Sequence, residues 1–234
     1  CPLPRLGDSR GAAVVFSGSD ARVSLRRAWP GVVASVALAI AFRDLWQGLV
    51  HAGRDLTAGG TWLGVSEAGR FALVTNLRGY GERAPDMASR GQLVTDSLTG
   101  AGQYGDPDTA DLAAFNPFNL LVADSTSARF LTNRPAPVRS ALAHGIYGLS
   151  NGTLDEPWSK TLHLKAALLD WLGAGSDDLA PLFAALASER IGHIGLHETE
   201  PSDVPAEPAE TPPFIRNPVY GTRCSTVVMV DAGG

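Results

Sequence analysis

The sequence predicts an α+β protein with a mostly antiparallel sheet. Three observations favour this class: strand-like segments occur in pairs joined by turn residues, two helical segments follow them, and another strand-like segment lies at residues 224–230. A chain of 234 residues can bury a core without the help of disulfides or metal ions. We therefore expect one domain over residues 1–234.

The first pair of predicted strands forms a hairpin. Residues 62–65 and 70–75 are rich in residues that favour strands, and Ser66-Glu67-Ala68-Gly69 between them is typical of a turn. Just before this hairpin, Gly59-Gly60-Thr61-Trp62 favours a turn with a packed aromatic ring over a phosphate loop, because no helix follows it. A short helix is predicted over residues 88–100.

The second hairpin is predicted from "PFNLLVAD" at residues 117–124 and "ARFLTNR" at residues 128–134, with the turn "STS" at residues 125–127. Further short strands are expected within residues 138–149. Residues 148–160 then read as a loop, because Gly, Ser, Asn, Asp and Pro are concentrated there.

Two helices follow that loop. Near-helical spacing predicts the first over residues 157–172, carried by Leu162, Ala166, Leu169 and Leu172. The second is predicted over residues 177–190, with Ser176 or Asp177 as its cap.

The last part of the chain combines a polar segment with a strand. Residues 197–213 are rich in Glu and Pro and are expected to form a solvated loop or a disordered insert. Residues 224–230 form a β-branched run, which predicts a strand, and Cys224 is interpreted as a small apolar strand residue.

Composition excludes several classes of function. Hydrophobic content of 44%, charged content of 18% and a net charge of −5 describe a globular protein and argue against nucleic-acid binding. The two cysteines, Cys1 and Cys224, make no disulfide framework and favour reduced thiols in the cytoplasm. His193 and His197 have metal-binding spacing only on a helix, which Gly192 and Gly195 disfavour, so we expect no metal site and no cofactor.

The first fifty residues differ in composition from the rest. They hold six arginines and three aspartates, a net charge of +3, so the remainder carries −5 − 3 = −8. Residues 28–42 are uncharged and follow Arg26-Arg27, as in a secretory signal, but they fit a buried helix or strand equally well. They are too short for a comfortable membrane span, and we expect no membrane insertion.

Six segments together resemble one known family. They are "AGRDLTAGGTWLGVSEAGRFALVTNLRG", "SRGQLV", "FNPFNLLVAD", "RFLTNRPAP", "GIYGLSNGTLDEPWSK" and "FIRNPVYGTRCSTVVMVD". In this order they are similar to the NRDE family, also called the transport and Golgi organisation protein 2 family, from about residue 52 onward. The resemblance implies an Ntn-hydrolase-like four-layer αββα sandwich with two mostly antiparallel sheets.

The segment before residue 52 departs from the family pattern. Cys1 stands where the family has its cysteine, but residues 2–51 contain no Asn-Arg-Asp-Glu motif. The nearest partial match is Phe42-Arg43-Asp44-Leu45. We expect that part of residues 2–51 is translated out of frame, and a truly divergent N-terminus is the competing interpretation.

The resemblance also implies the residues of a catalytic site. Cys1 would supply the nucleophilic thiol and its α-amine the general base, with Asn151 and Arg223 as further catalytic residues. Asn76, which follows the strand-like residues 71–75, is a second candidate for an oxyanion donor. Two simpler interpretations compete with these roles. Asn151 fits a left-handed or Asx-turn position, and Arg223 fits a surface ion pair.

Three functions remain open at this point. The first is a cysteine N-terminal-nucleophile amidohydrolase that acts on a small amide or acyl substrate. The second, which the resemblance implies through eukaryotic relatives, is a non-catalytic binding or trafficking protein for haem or another hydrophobic metabolite. The third is a non-functional translation product of a damaged gene. The sequence leaves the oligomeric state open.

Overall fold

The structure is a computed structural model that describes residues 13–18, 50–55, 59–192, 195–204, 206–218, 221–222 and 224–229. The strands in chain order are β1 (Ala13–Gly18), β2 (Val50–Ala52), β3 (Leu63–Ser66), β4 (Phe71–Asn76), β5 (Phe118–Ala123), β6 (Ala128–Thr132), β7 (Val138–Leu142) and β8 (Cys224–Met229). Within the described residues, the α-helices are α1 (Arg90–Thr99), α2 (Ser159–Ala174) and α3 (Ala180–Leu186). The predicted α+β class is therefore confirmed.

The chain divides into two compact units, residues 22–145 and residues 1–21 together with 146–234. In the first unit, six strands form one sheet in the order β2-β3-β4-β5-β6-β7, and every neighbouring pair is antiparallel. Both predicted hairpins are present in it. Gly69 gives the first turn its left-handed residue with φ 70°, and the Ser66 hydroxyl accepts the Arg70 N–H at 3.2 Å.

Helix α1 covers one face of this sheet. The Ser89 hydroxyl accepts the Gln92 N–H at the start of the helix, and Gly100 ends it in the left-handed conformation with φ 67°. Below the helix lies a core whose most buried side chains are Leu93, Val94, Leu98, Phe115, Phe118, Leu120 and Leu131. Burial of these side chains fixes the helix on the sheet.

The opposite face of the sheet is also buried. Because side chains alternate along a strand, Phe71 and Leu73 of β4 point away from α1, and Phe130 of β6 lies on the same side. All three are buried. A strand with two buried faces reads as a continuous apolar run, as "FALV" does in β4.

In the second unit β1 pairs with β8 in an antiparallel ladder that runs from Ala13 opposite Met229 to Gly18 opposite Cys224. Helices α2 and α3 pack against each other, and α3 lies against both strands of the ladder. The apolar stripe that predicts α2 lies on its outer side, since Leu162 and Leu169 are exposed whereas Thr161 and Trp171 are buried.

Helix α3 is shorter than predicted, and its predicted caps are wrong. The sequence predicts residues 177–190 with Ser176 or Asp177 as the cap, but the helix spans Ala180–Leu186 with Leu179 at its N-cap position. The cause is local hydrogen bonding: the Ser176 hydroxyl accepts the Asp178 N–H, and the Asp178 carboxylate accepts the Ala180 N–H at 2.9 Å. Residues 138–149 likewise give one strand, β7, rather than several.

The Pro- and Glu-rich segment 197–213 is a loop held by its own hydrogen bonds. The structure describes all of its residues except 205. Thr199, Ser202 and Thr211 are buried. The Glu200 N–H donates to the Glu210 carbonyl at 2.9 Å, which closes the loop on itself. Small polar side chains, invisible to a hydrophobicity pattern, hold this loop in place.

Candidate functional site

Asn76, the predicted oxyanion donor, is the last residue of β4. It lies opposite Phe118 of β5, and its amide oxygen is buried. Next to it the Pro117 carbonyl accepts the Leu77 N–H at 3.1 Å and an Arg90 guanidinium N–H at 2.9 Å. The arrangement brings a positive charge to the end of the sheet where Asn76 lies. No sequence pattern predicts this role of Arg90.

A row of buried polar side chains crosses three central strands beside Asn76. Thr75, Asn119 and Thr132 are opposite one another in the register of β4, β5 and β6. By strand alternation they face away from α1, whereas Asn76 shares the α1 side with Phe118. The Asn119 amide donates to the Thr75 hydroxyl at 3.4 Å, and Asn119 is only 1% exposed.

This row was missed from sequence. Its one signal is a polar residue inside each apolar strand segment, as Asn119 is in "FNLLVA". Such residues are hydrogen-bonded when buried, and they are often structural rather than catalytic.

Asn151 lies in the loop between β7 and α2, which side chains hold closed. The Gly148 N–H donates to the Asp155 carboxylate at 2.7 Å, and the Asp155 N–H donates back to the Gly148 carbonyl at 2.8 Å. The Lys165 ammonium pairs with the same carboxylate at 2.6 Å. Asp155 takes the left-handed conformation with φ 60°. Among the non-glycine residues that the structure describes, Asp155 alone has a positive φ, so Asn151 does not. The left-handed interpretation of Asn151 is therefore wrong.

A second carboxylate organises the end of this loop. Glu156 accepts the Thr153 N–H at 2.7 Å and the Trp158 indole N–H at 2.8 Å. Burial raises the pKa of Glu156, but these hydrogen bonds outweigh it and lower the pKa below its usual value. The carboxylate is thus kept ionised as an anchor for the start of α2.

The predicted site residues are divided between the two units. Asn76 belongs to residues 22–145 and Asn151 to the other unit. Cys1 and Arg223 lie outside the described residues, as do residues 28–42 and His193. That Cys1, Asn76, Asn151 and Arg223 assemble into one site stays a prediction.

A polar pocket of about 220 Å³ lies at the other end of the sheet. Its lining includes Arg70, Phe71, Ala123, Asp124 and Arg129. Phe71 and Asn76 are the two ends of β4, which places the pocket about 17 Å from Asn76 at the usual rise per residue. The pocket is therefore separate from the predicted oxyanion position.

Among the helices of the described residues, none has both the length and the apolar character needed to cross a bilayer.

Comparison with known proteins gives a family match and several relatives. Residues 39–234 match the family model "Transport and Golgi organisation 2". The chain is 32% identical over 197 residues to a protein of Bos taurus called Transport and Golgi organization protein 2 homolog, covering 75% of this chain and 69% of that protein. The homologue of Homo sapiens with the same name is 30% identical over 194 residues, covering 75% and 69%.

The family match begins earlier than the sequence motifs indicate. It starts at residue 39 rather than about residue 52, which is 52 − 39 = 13 residues earlier. The expectation that all of residues 2–51 fall outside the family is therefore wrong for residues 39–51. Phe42-Arg43-Asp44-Leu45 lies within the matching part.

Proposed function

The chain belongs to the Transport and Golgi organisation 2 family, and on that basis we propose that it is a cysteine N-terminal-nucleophile amidohydrolase. Its substrate would be a small amide or acyl compound. The observation that supports this proposal best is the placement of Asn76 at the end of a central strand, beside a guanidinium, where an amide N–H has a rigid support.

The proposed chemistry is acyl transfer through the thiol of Cys1. The α-amine, whose usual pKa is near neutrality, takes the thiol proton, and sulfur attacks the substrate carbonyl carbon. The C–N bond breaks as the amine product leaves with a proton, and water then releases the acid from the thioester. Asn76 and Asn151 would donate to the oxyanion, and Arg223 would favour the thiolate.

The proposal includes the four-layer αββα architecture. Two described features support it: the six-stranded sheet has α1 on one face, and the β1–β8 ladder has α3 against it. It also includes a cytoplasmic location, because two reduced thiols suit that compartment.

An acyl-amide panel tests the enzyme directly. We expect amide hydrolysis by the wild-type chain and its loss in Cys1→Ala, while Cys224→Ala, which removes the exposed thiol of β8, keeps full activity. Asn151→Ala should lower kcat about 100-fold if its amide donates to the oxyanion. Mass spectrometry of the N-terminal peptide verifies that the α-amine is free. Equal rates for wild type and Cys1→Ala on every amide would contradict the proposal.

The alternative function is non-catalytic binding or trafficking of haem or another hydrophobic metabolite. It is favoured by the word "transport" in the names of the relatives. A haem titration followed by absorbance distinguishes the two functions. Saturable binding that is unchanged in Cys1→Ala, together with no hydrolysis, favours binding, whereas the absence of a saturable shift argues against it.

A further inference from the structure

Lys160 is a half-buried amine at the start of α2. Its ammonium donates to the Thr211 hydroxyl at 2.9 Å, and Thr211 is buried in the Pro- and Glu-rich loop. The Thr211 hydroxyl donates its own proton to the Pro208 carbonyl at 2.9 Å, so it can only accept from Lys160. The amine also lies 5.3 Å from the centre of the Trp158 ring.

The surroundings of this amine disfavour a positive charge. Within the described ranges, no carboxylate lies at ion-pairing distance from it. It is the second residue of α2, where the helix dipole repels a cation. Burial lowers the pKa of Lys160 to about 8, while the face of the Trp158 ring favours the charged form.

Three titratable groups lie close to Lys160 along the chain or next to Thr211. Glu156 binds Thr153 and Trp158. His163, one turn further along α2, contacts the Ser188 hydroxyl with its Nε2 atom at 3.1 Å. Glu210, which precedes Thr211, is exposed, and its backbone closes the loop onto Glu200. None of these groups is paired with the Lys160 ammonium among the described ion pairs.

We propose that Lys160 is a nucleophilic amine and a site of covalent modification by activated acyl donors. Its neutral amine attacks the acyl carbonyl carbon, and a C–N bond forms. The bond between that carbon and the leaving group breaks, and the leaving group takes the electron pair. The nitrogen releases one proton to water, which leaves a neutral amide in the half-buried position beside Trp158.

The chain is well suited to test this, because it contains two lysines, Lys160 and Lys165, five residues apart on one helix. Lys165 is the internal reference, since its ammonium is held in the ion pair with Asp155. At pH 7.5 roughly a quarter of amines with a pKa near 8 are neutral, compared with about one in a thousand at the ordinary value. Half-burial and lower intrinsic nucleophilicity offset part of this gain, and we expect about a tenfold faster reaction at Lys160.

The experiment treats the folded chain with substoichiometric N-hydroxysuccinimidyl acetate and quantifies each acetylated peptide by mass spectrometry. The Lys160 adduct should exceed the Lys165 adduct, and the Lys160 rate should level off above about pH 8, in line with its pKa. In Lys165→Arg the Lys160 rate should be unchanged, and in urea both lysines should react alike. Equal rates at the two lysines in the folded chain, or a Lys160 preference that persists in urea, would overturn the proposal.

Discussion

Asn133 shows how a single buried side chain organises a loop. It is fully buried after β6, its amide nitrogen donates to the Leu112 and Phe115 carbonyls at 3.0 and 2.9 Å, and its amide oxygen accepts the Phe118 N–H at 3.0 Å. These bonds pair backbone groups of the segment that leads into β5. Asn133 therefore positions the strand that carries Asn119.

Asn133→Ala should destabilise the protein by about 2 to 4 kcal/mol, because it removes three hydrogen bonds to backbone groups in the interior. Urea unfolding followed by circular dichroism measures the loss. Gln103→Ala removes an exposed amide and should leave the midpoint unchanged. Equal midpoints for the two variants would contradict the role of Asn133.

For single residues, the sequence predicts those that lie in family motifs. It does not predict residues whose role depends on packing. Asn76 and Asn151 stand in segments that resemble a family, so they were named from sequence. Asn119 and Asn133 were not, because the hydrogen-bond partners of their side chains described above lie 15 or more positions away along the chain, as Thr75 does from Asn119. A one-dimensional pattern contains no record of such contacts.

The turn before β3 illustrates packing between elements. Gly60 lies against the backbone of Gly91 in α1, and a Cβ atom at Gly60 would overlap that backbone. Gly59 has φ 81°, the Asp55 N–H donates to the Gly60 carbonyl at 2.7 Å, and a strand rather than a helix follows. The glycine is required by the close approach of a helix and not by a phosphate.

Gly60→Ala should therefore push α1 away from the sheet and cost about 1 to 3 kcal/mol. Gly53→Ala is the matched control, because a Cβ atom there meets nothing within 4 Å. Differential scanning calorimetry should give a lower Tm for Gly60→Ala only. A Tm loss of equal size in both variants would show that the effect is not steric.

Element type was easier to predict than element length. The hairpins, α1, α2 and β8 follow from alternation, helical spacing and turn residues. The early end of α3 does not, because it depends on contacts outside the helix: the Ser188 carbonyl accepts the Phe214 N–H at 3.0 Å, and Glu189 pairs with Arg216 at 2.8 Å. Distant partners thus draw residues 188–189 out of the predicted helix.

At the scale of the whole molecule, the family match and the change in composition after residue 50 narrow the range of residues that could be translated out of frame. The match begins at residue 39, so the out-of-frame interpretation applies to residues 2–38 at most. We expect resequencing of the DNA that encodes residues 1–55 to reveal a one- or two-base difference. Its correction should restore an apolar strand after Cys1 and an Asn-Arg-Asp-Glu motif.

If the reading frame stands as given, the N-terminus is divergent. Cys1 would then lack its Arg and Asp neighbours, and binding would be favoured over hydrolysis.

The way the Asn151 loop is held closed should affect how fast it opens and closes. β4 and β5 are hydrogen-bonded on both sides, so the amides around Asn76 and Asn119 should exchange with solvent only when the unit unfolds. The Asn151 loop is closed chiefly by the side chains of Asp155 and Glu156, and its amides should exchange through local opening. Any reaction that uses the Asn151 amide would then proceed no faster than this loop closes, and product would leave when it opens.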